Sequence, residues 1–594
     1  AVSALPTIPS GLRAGLAVTG TAGTWAADGI TTTYQWQVSG DQGLSWMPAT
    51  GTGATTPTYT PVSADAWKQV RLKVTATNSA GTADAFSAAQ VVRSAEMLYV
   101  SNSTSNSIGA FRIQADGTLG AMAASATGTS PRQVAQTPDG KFVYVSNTGS
   151  GTVSQFAVAG DGSLSALSPA TVAVASASGV AVSPDGRFAY VTSGVSPGNV
   201  SQFTVAPNGQ LTPMSPATVT AGNIPWFMRV SPNGKFAYSV AWNDNTVSSY
   251  TVASDGKLTL TGTVATGTQP RGLAITPDST RVFVGTGTGN AINRYSVNQS
   301  TGALTELTPA TGLVNTSGVA ANGWGVTLSP NGQFAYATVY TGAAMNEFSQ
   351  SSGALTPLGL GSVAAATGPV DPVMRANGAN LYVPAWSTNT ILQYSVGGNG
   401  HLTAMTPASV AAGANPAQGV ATPAAPAVSS MVATPTLANA TTMTWNVSFG
   451  SAVTGLEASD FSLGGSAGAW AITGVTGAGA GPYTVTATAS GSGTGTPTLT
   501  LAANSVTDLV GATGPAVARS ANPASMDTSA PGITAPAVTN GGSTTGTQGT
   551  WVLDGGSLAY QWQVSSDGSS WSNAAGTGAT TLTFTPAAGD IGKA

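Results

Sequence analysis

Pro138-Asp139-Gly140-Lys141-Phe142-Val143-Tyr144-Val145-Ser146-Asn147 reads as a tight turn followed by a short apolar strand. Pro presets φ at the second turn position and Gly supplies a positive φ, so the turn has a mechanism. The turn returns as Pro184-Asp185-Gly186, Pro232-Asn233-Gly234 and Pro330-Asn331-Gly332. The strand returns with its aromatic at Tyr99, Tyr190, Tyr238, Phe283, Tyr336 and Tyr382, giving seven copies at intervals of 45, 46, 48, 45, 53 and 46 residues. A second strand keeps the same beat and ends in Phe111, Phe156, Phe203, Tyr250, Tyr295, Phe348 and Tyr394. A Gly-x-Leu turn follows each one, with leucines at 119, 164, 211, 258, 304, 355 and 402. Four short strands per unit at this period describe a blade, and seven blades close into a propeller.

The ring has a predicted seam. Nothing before Tyr99 looks like the inner-strand segment that precedes the later blades. That segment stands instead at 415–423, where Asn415-Pro416-Ala417-Gln418-Gly419-Val420-Ala421-Thr422-Pro423 matches 269–277 in register. The far end of the segment is thus expected to complete the first blade and remove an open sheet edge, in a propeller spanning 94–423.

Outside it, the two ends of the chain repeat each other. Thr24-Trp25, Tyr34-Gln35-Trp36-Gln37 and Trp46 return as Thr550-Trp551, Tyr560-Gln561-Trp562-Gln563 and Trp571. Residues 1–93 read as a small antiparallel sandwich with a Trp core. Residues 527–594 read as a copy lacking its last two strands, which the continuing chain or a neighbouring copy, adding head-to-tail, would have to supply. Residues 424–526, with Trp445 and Trp470 as expected core, read as a further sandwich of different sequence. The predicted class is all-β: a seven-bladed β-propeller plus three Ig-like β-sandwich domains, the last one incomplete.

Composition narrows the chemistry. The chain has 594 residues, 18 Lys+Arg, 22 Asp+Glu and a net charge of −4, so no basic field exists to hold nucleic acid. No stretch approaches the roughly 20 consecutive apolar residues of a membrane-spanning helix, and no membrane insertion is expected. The 13 Trp, 14 Tyr and 14 Phe indicate packed cores despite only 7% charged residues. There is no cysteine and one histidine, His401, so thiolate chemistry and multi-histidine zinc sites are excluded by counting. Alternating acids of a calcium loop are not found either, and no metal or cofactor is expected.

The Leu98-Tyr99-Val100-Ser101-Asn102 and Phe142-Val143-Tyr144-Val145-Ser146-Asn147 strands, with their turns, resemble the lactonase-type (6-phosphogluconolactonase-like) seven-bladed propellers. The ends resemble the Ig-like repeats of giant bacterial surface proteins, through Tyr-Gln-Trp-Gln and Val74-Thr75-Ala76-Thr77-Asn78-Ser79-Ala80-Gly81. The stretch Val453-Thr454-Gly455-Leu456-Glu457-Ala458-Ser459-Asp460-Phe461 is similar to another adhesin-repeat type. Such arrays imply secretion and an extracellular or cell-surface place on a bacterium.

The repeat also aligns residues expected to ring one mouth of the axial channel. Counting seven back from the Asp/Asn of each blade turn gives Arg132, Ser178, Trp226, Arg271, Trp324 and Val370, with Ala417 from the closing strand. Trp242 and Trp386 fall on the next loop of the same face. Trp rings stack on sugars and Arg forks bind carboxylates, so Arg132, Trp226, Trp242, Arg271, Trp324 and Trp386 form a candidate site for an acidic glycan. The competing reading is that the rings plug the channel or pack against a neighbouring domain. His401 occupies a slot that is Thr118, Ser163, Gln210, Lys257, Ala303 or Ala354 in the other blades, an outer turn, so no catalytic residue is assigned. With no titratable group at the mouth, the expected function is an extracellular structural and adhesive protein of a surface, matrix or filament, not an enzyme. Its expected partners are copies of itself or extracellular glycan. The alternatives are a secreted lactonase-like hydrolase of sugar lactones and non-catalytic glycan binding.

Overall fold

The structure is a computed structural model of the chain. It describes residues 2–422 except 10, 27, 42, 309 and 314–321, and from 423 to 527 it describes 428–433, 442–449, 453–465, 470–477, 483–489, 494–495, 497–502, 505–508, 513–514, 519–521 and 526–527. Further on, it describes 544–545, 563–564, 572–573 and 583–584. The expectation of an incomplete sandwich at 527–594 therefore lies largely outside the described residues.

Seven antiparallel sheets of the same order follow one another along the chain. In the second, Pro131–Gln136 pairs with Phe142–Asn147, which pairs with Thr152–Val158 and then Leu164–Ala173. The first sheet departs from chain order. Its innermost strand is Pro416–Ala421, paired with Met97–Asn102 so that Tyr99 faces Val420. The ring is thereby closed between two segments more than 300 residues apart.

The second strand of each blade is buried on both faces, which explains its continuous apolar run, whereas the outermost strands are largely exposed. Val134, Val143, Val145 and Phe156 of blade 2 form one core with Met97, Tyr99, Ile108 and Ala110 of blade 1. Side chains of one blade thus fill the gap to the next.

The seven repeated glycines have a specific task. Gly117, Gly162, Gly209, Gly256, Gly302, Gly353 and Gly400 all take positive φ, between 72° and 91°. Each carbonyl is turned toward the preceding blade. Tyr99 Oη donates to Gly162 O at 2.7 Å, Tyr144 to Gly209 at 2.7 Å and Tyr190 to Gly256 at 2.6 Å. Tyr238 does the same to Gly302 at 3.0 Å, Tyr336 to Gly400 at 2.8 Å, and Tyr382, from the last blade, to Gly117 of the first at 2.6 Å. Phe283 has no hydroxyl. In its place Arg294 Nη1 donates to Gly353 O at 2.9 Å. Burial pushes the pKa of these tyrosines up, so they remain donors.

A second set of bonds joins the same neighbours. Gln155, Gln202 and Gln393 accept from the backbone N–H of Leu211, Leu258 and Leu119 in the next blade, at 2.8, 2.6 and 2.6 Å. The seam carries one more device, a forked ion pair: Arg375 Nε and Nη2 donate to the two oxygens of Glu96 at 2.9 and 2.7 Å.

Residues 2–93 form separate small sheets around Trp36, which is fully buried, stacks on Tyr59 at 5.2 Å and donates through Nε1 to Thr56 O at 2.9 Å. In the described part of 428–527, Trp445 sits at the centre of a second core with Met443, Val447 and Phe449, while Trp470 packs against it half-buried.

Tyr238→Phe removes one such hydroxyl bond and should cost about 1 kcal/mol. Arg375→Met leaves Glu96 without its partner at the seam and should cost more, about 2–3 kcal/mol, because Glu96 is only 17% exposed. Urea unfolding of the two variants checks the order, and equal losses would contradict a latch at the seam.

Candidate active site

The innermost strands carry the axial residues in layers set by the repeat. At one mouth the structure brings together Arg132, Ser178, Trp226, Trp324, Trp386 and Ala417, as neighbours around a narrow opening. Arg271 and Trp242 stand behind this rim. The Arg132 guanidinium lies over the Trp226 ring at 3.8 Å, and that of Arg271 over Trp324 at 3.9 Å. Trp242 stacks on Trp226 at 6.3 Å, and Tyr340 fills the corresponding place beside Trp324 at 4.8 Å. Five of the six predicted residues thus form two columns, and the sixth, Trp386, lines the same opening.

Val370, counted on this ring, is fully buried and does not reach the opening. Asp371 lines it instead. The cause is Pro372, which has no N–H to give to a ladder and holds the residue before it extended. The inner strand of blade 7 is consequently reduced to Val373–Met374, and Asp371 lies outside regular pairing. Its side chain lies over Gly325 of blade 6, where a Cβ would meet Asp371 Oδ1 at 2.5 Å. Sequence reasoning missed Asp371 because Asp-Pro looks like a turn and the position lies one beyond the counted ring. The available signal was its own layer, in which Gln133 and Gln418 are the other polar side chains.

Burial raises the Asp371 carboxyl to about 7, against the pull of the Arg229 and Arg271 guanidiniums, which favour the carboxylate. Burial lowers Arg132 to about 10, with the nearby Arg271 charge acting in the same direction. Among the described residues Arg132 Nε and Trp242 Nε1 are buried without a hydrogen-bond partner. Gln418 Oε1 accepts from Val134 N–H at 2.6 Å, and Gln133 bridges blades 3 and 4 through Val180 N–H at 3.1 Å and Met228 O at 3.2 Å. These amides stiffen the wall of the opening that Asp371 also lines. The opening they leave measures about 30 Å³, enough for a water molecule beside the carboxyl.

His401 stands far from this mouth in the repeat, on an outer turn. Its Nδ1 lies 3.1 Å from Glu347 Oε2, while Glu347 Oε1 accepts from Leu402 N–H at 2.6 Å. Glu347 therefore does the inter-blade work that glutamine does elsewhere. Among the described residues no three His, Cys, Asp or Glu side chains converge as a metal site.

The family described as Lactonase, 7-bladed beta-propeller matches residues 59–177 and 180–320. The central domain is a lactonase-like, seven-bladed propeller. The match begins inside the N-terminal sheets and ends before the sixth blade, whereas the propeller sheets run from Met97 to Ala421. No curated protein matches the chain. Among solved structures, a putative 6-phosphogluconolactonase from Bacteroides uniformis is similar at 20% identity and a TM-score of 0.48, over 55% of this chain and 100% of that one. A putative 6-phosphogluconolactonase from Bacteroides fragilis gives 22% and 0.47, over 55% and 98%. The periplasmic gluconolactonase of Pseudomonas aeruginosa gives 18% and 0.47, over 55% and 99%.

The family match corrects the expectation of an adhesive, non-enzymatic structural protein in favour of a lactonase-like hydrolase. That expectation rested on a mouth without a titratable group, and Asp371 removes its premise.

The raised Asp371 has a measurable consequence for the lactonase-like propeller. With the folded pKa near 7 against the ordinary 3.8, the folded state holds its proton more tightly than the unfolded chain. Stability from this group is full below about pH 4, falls as pH rises toward 7 and is level above it. Asp371→Asn should therefore stabilise the protein at pH 8, by on the order of 1–4 kcal/mol, and lose that advantage below about pH 4. Thermal unfolding at the two pH values checks this. A destabilised variant at pH 8 would contradict it.

Proposed function

We propose that the chain is a lactonase-like hydrolase that opens a sugar lactone at the Trp-lined mouth. The observation that carries this reading is a carboxyl raised to about 7, set in a water-sized opening between guanidiniums. A general base works best with a pKa near the working pH, and Asp371 meets that condition. In the proposed reaction a water beside Asp371 gives its proton to the carboxylate as its oxygen attacks the lactone carbonyl carbon. Negative charge moves to the carbonyl oxygen, where the Arg132 and Arg271 side chains stabilise it. The ring C–O bond then breaks, the ring oxygen takes the proton back from Asp371, and a hydroxy acid leaves. Stacking on Trp386 and Trp324 holds the sugar ring at the rim, since the opening itself is too small to admit it. The family match supports the reaction class, and the names of the similar solved structures support a sugar lactone as substrate. The flanking β-domains serve in this reading as accessories of a secreted enzyme, in line with their resemblance to bacterial surface repeats.

Hydrolysis of δ-gluconolactone and its phosphorylated form, followed by proton release, tests the proposal. The value of kcat/KM should rise with pH through about 7 as Asp371 loses its proton. Asp371→Asn should lower kcat by at least about 100-fold, Trp386→Ala should mainly raise KM, and His401→Ala should change neither. Turnover no faster than the spontaneous reaction, or full activity in Asp371→Asn, would overturn the assignment.

A further inference from the structure

A larger cavity, about 430 Å³, lies at the opposite end of the propeller axis, within the size range of small-molecule sites. The repeat dictates its wall. The last residues of the inner strands, Val230, Ile275, Leu328, Met374 and Ala421, occupy equivalent positions in five blades, and all five are half-buried around the opening. Phe449 from the following β-domain stands among the lining residues.

One position earlier the repeat makes a single exception. Ala135, Ala181, Ala274, Thr327, Val373 and Val420 each pair across the ladder with the aromatic of their blade. In blade 4 the same position, opposite Tyr238, is Arg229. Six blades therefore manage with a small or aliphatic residue where the fourth has a guanidinium. Arg229 borders the cavity, and among the described residues its side chain makes no ion pair or hydrogen bond; its guanidinium lies over the Phe227 ring at 4.8 Å. The other cation of the wall, Arg375, is already held by Glu96 and by Asn380 Oδ1 at 2.9 Å. Asp371 lies within electrostatic reach of Arg229 but accepts no hydrogen bond from it among the described residues, so an aliphatic ring with one guanidinium still open to a hydrogen-bonding acceptor selects a particular chemistry.

We propose that this cavity binds an amphipathic monoanion, an aliphatic carboxylate whose headgroup pairs with Arg229 and whose chain lies against the aliphatic ring. The cavity shares no lining residue with the Trp-lined mouth, although Arg229 lies within electrostatic reach of Asp371 there, and the proposal does not depend on the lactonase reading. The carboxylate supplies the acceptor that a desolvated guanidinium requires, and the chain removes the exposed aliphatic surface from water.

Calorimetric titration of the full chain with decanoate and with decanol, both below their self-association limits, tests the inference without any turnover. Decanoate should bind one per chain, at least about tenfold more tightly than decanol. Arg229→Gln should erase that preference, and Thr327→Trp, which fills the cavity from a half-buried position, should abolish binding of both. No binding of decanoate by the wild type, an equal affinity for decanol, or an unchanged preference in a folded Arg229→Gln would overturn it. If either variant fails to fold, the wild-type comparison of the two ligands still decides. Decanoate binding by a protein without lactonase activity would leave this site standing and remove only the other reading.

Discussion

One hydrogen bond, repeated around a circle, governs the architecture: in six of the seven blades a tyrosine hydroxyl from the second strand meets a glycine carbonyl at the outer turn of the next. Both partners are constrained. The tyrosine must reach through a fully buried inter-blade core, and the glycine must take a positive φ to present its carbonyl. A Cβ at Gly209, Gly256 or Gly400 would also collide with the phenylalanine that opens a strand of the preceding blade, Phe142, Phe188 or Phe334. Each blade that carries the pair thus offers its tyrosine to one neighbour and its glycine to the other.

The exception at blade 5 supports the same conclusion. Where Phe283 cannot donate, Arg294 on the adjacent strand reaches the orphaned carbonyl of Gly353. Glu347, similarly, accepts a leucine N–H in a place where other blades use glutamine, and its second oxygen recruits His401. A carboxylate and an imidazole that would attract attention as a catalytic pair are accounted for by blade-to-blade bonding.

Against this regular background, departures from the repeat mark the axial chemistry. Pro372 shortens one inner strand and frees Asp371 to line the mouth; Arg229 replaces an aliphatic residue in one layer and borders the opposite cavity. Neither substitution improves packing, and both place an ionisable group where burial makes it costly. Their proximity brings the two ends of the axis into electrostatic contact, since Arg229 favours the carboxylate form of Asp371.

The sequence by itself determined the blade count, the strands and the ring-closing segment, because markers spaced by one blade and a register match between 415–423 and 269–277 survive without any knowledge of contacts. It also placed four Trp and two Arg on one face, since residues at equivalent repeat positions must share a layer. What it left open was which side chains are committed. Tertiary structure decided that Arg132 and Arg271 lie flat on indole rings, that Glu347 bonds to a neighbouring blade, and that Asp371, not Val370, enters the channel. Those outcomes depend on contacts between blades and on one proline's effect on the residue before it. A periodic count along the chain carries neither, because it fixes a residue's layer but not the direction of its side chain or the group it meets.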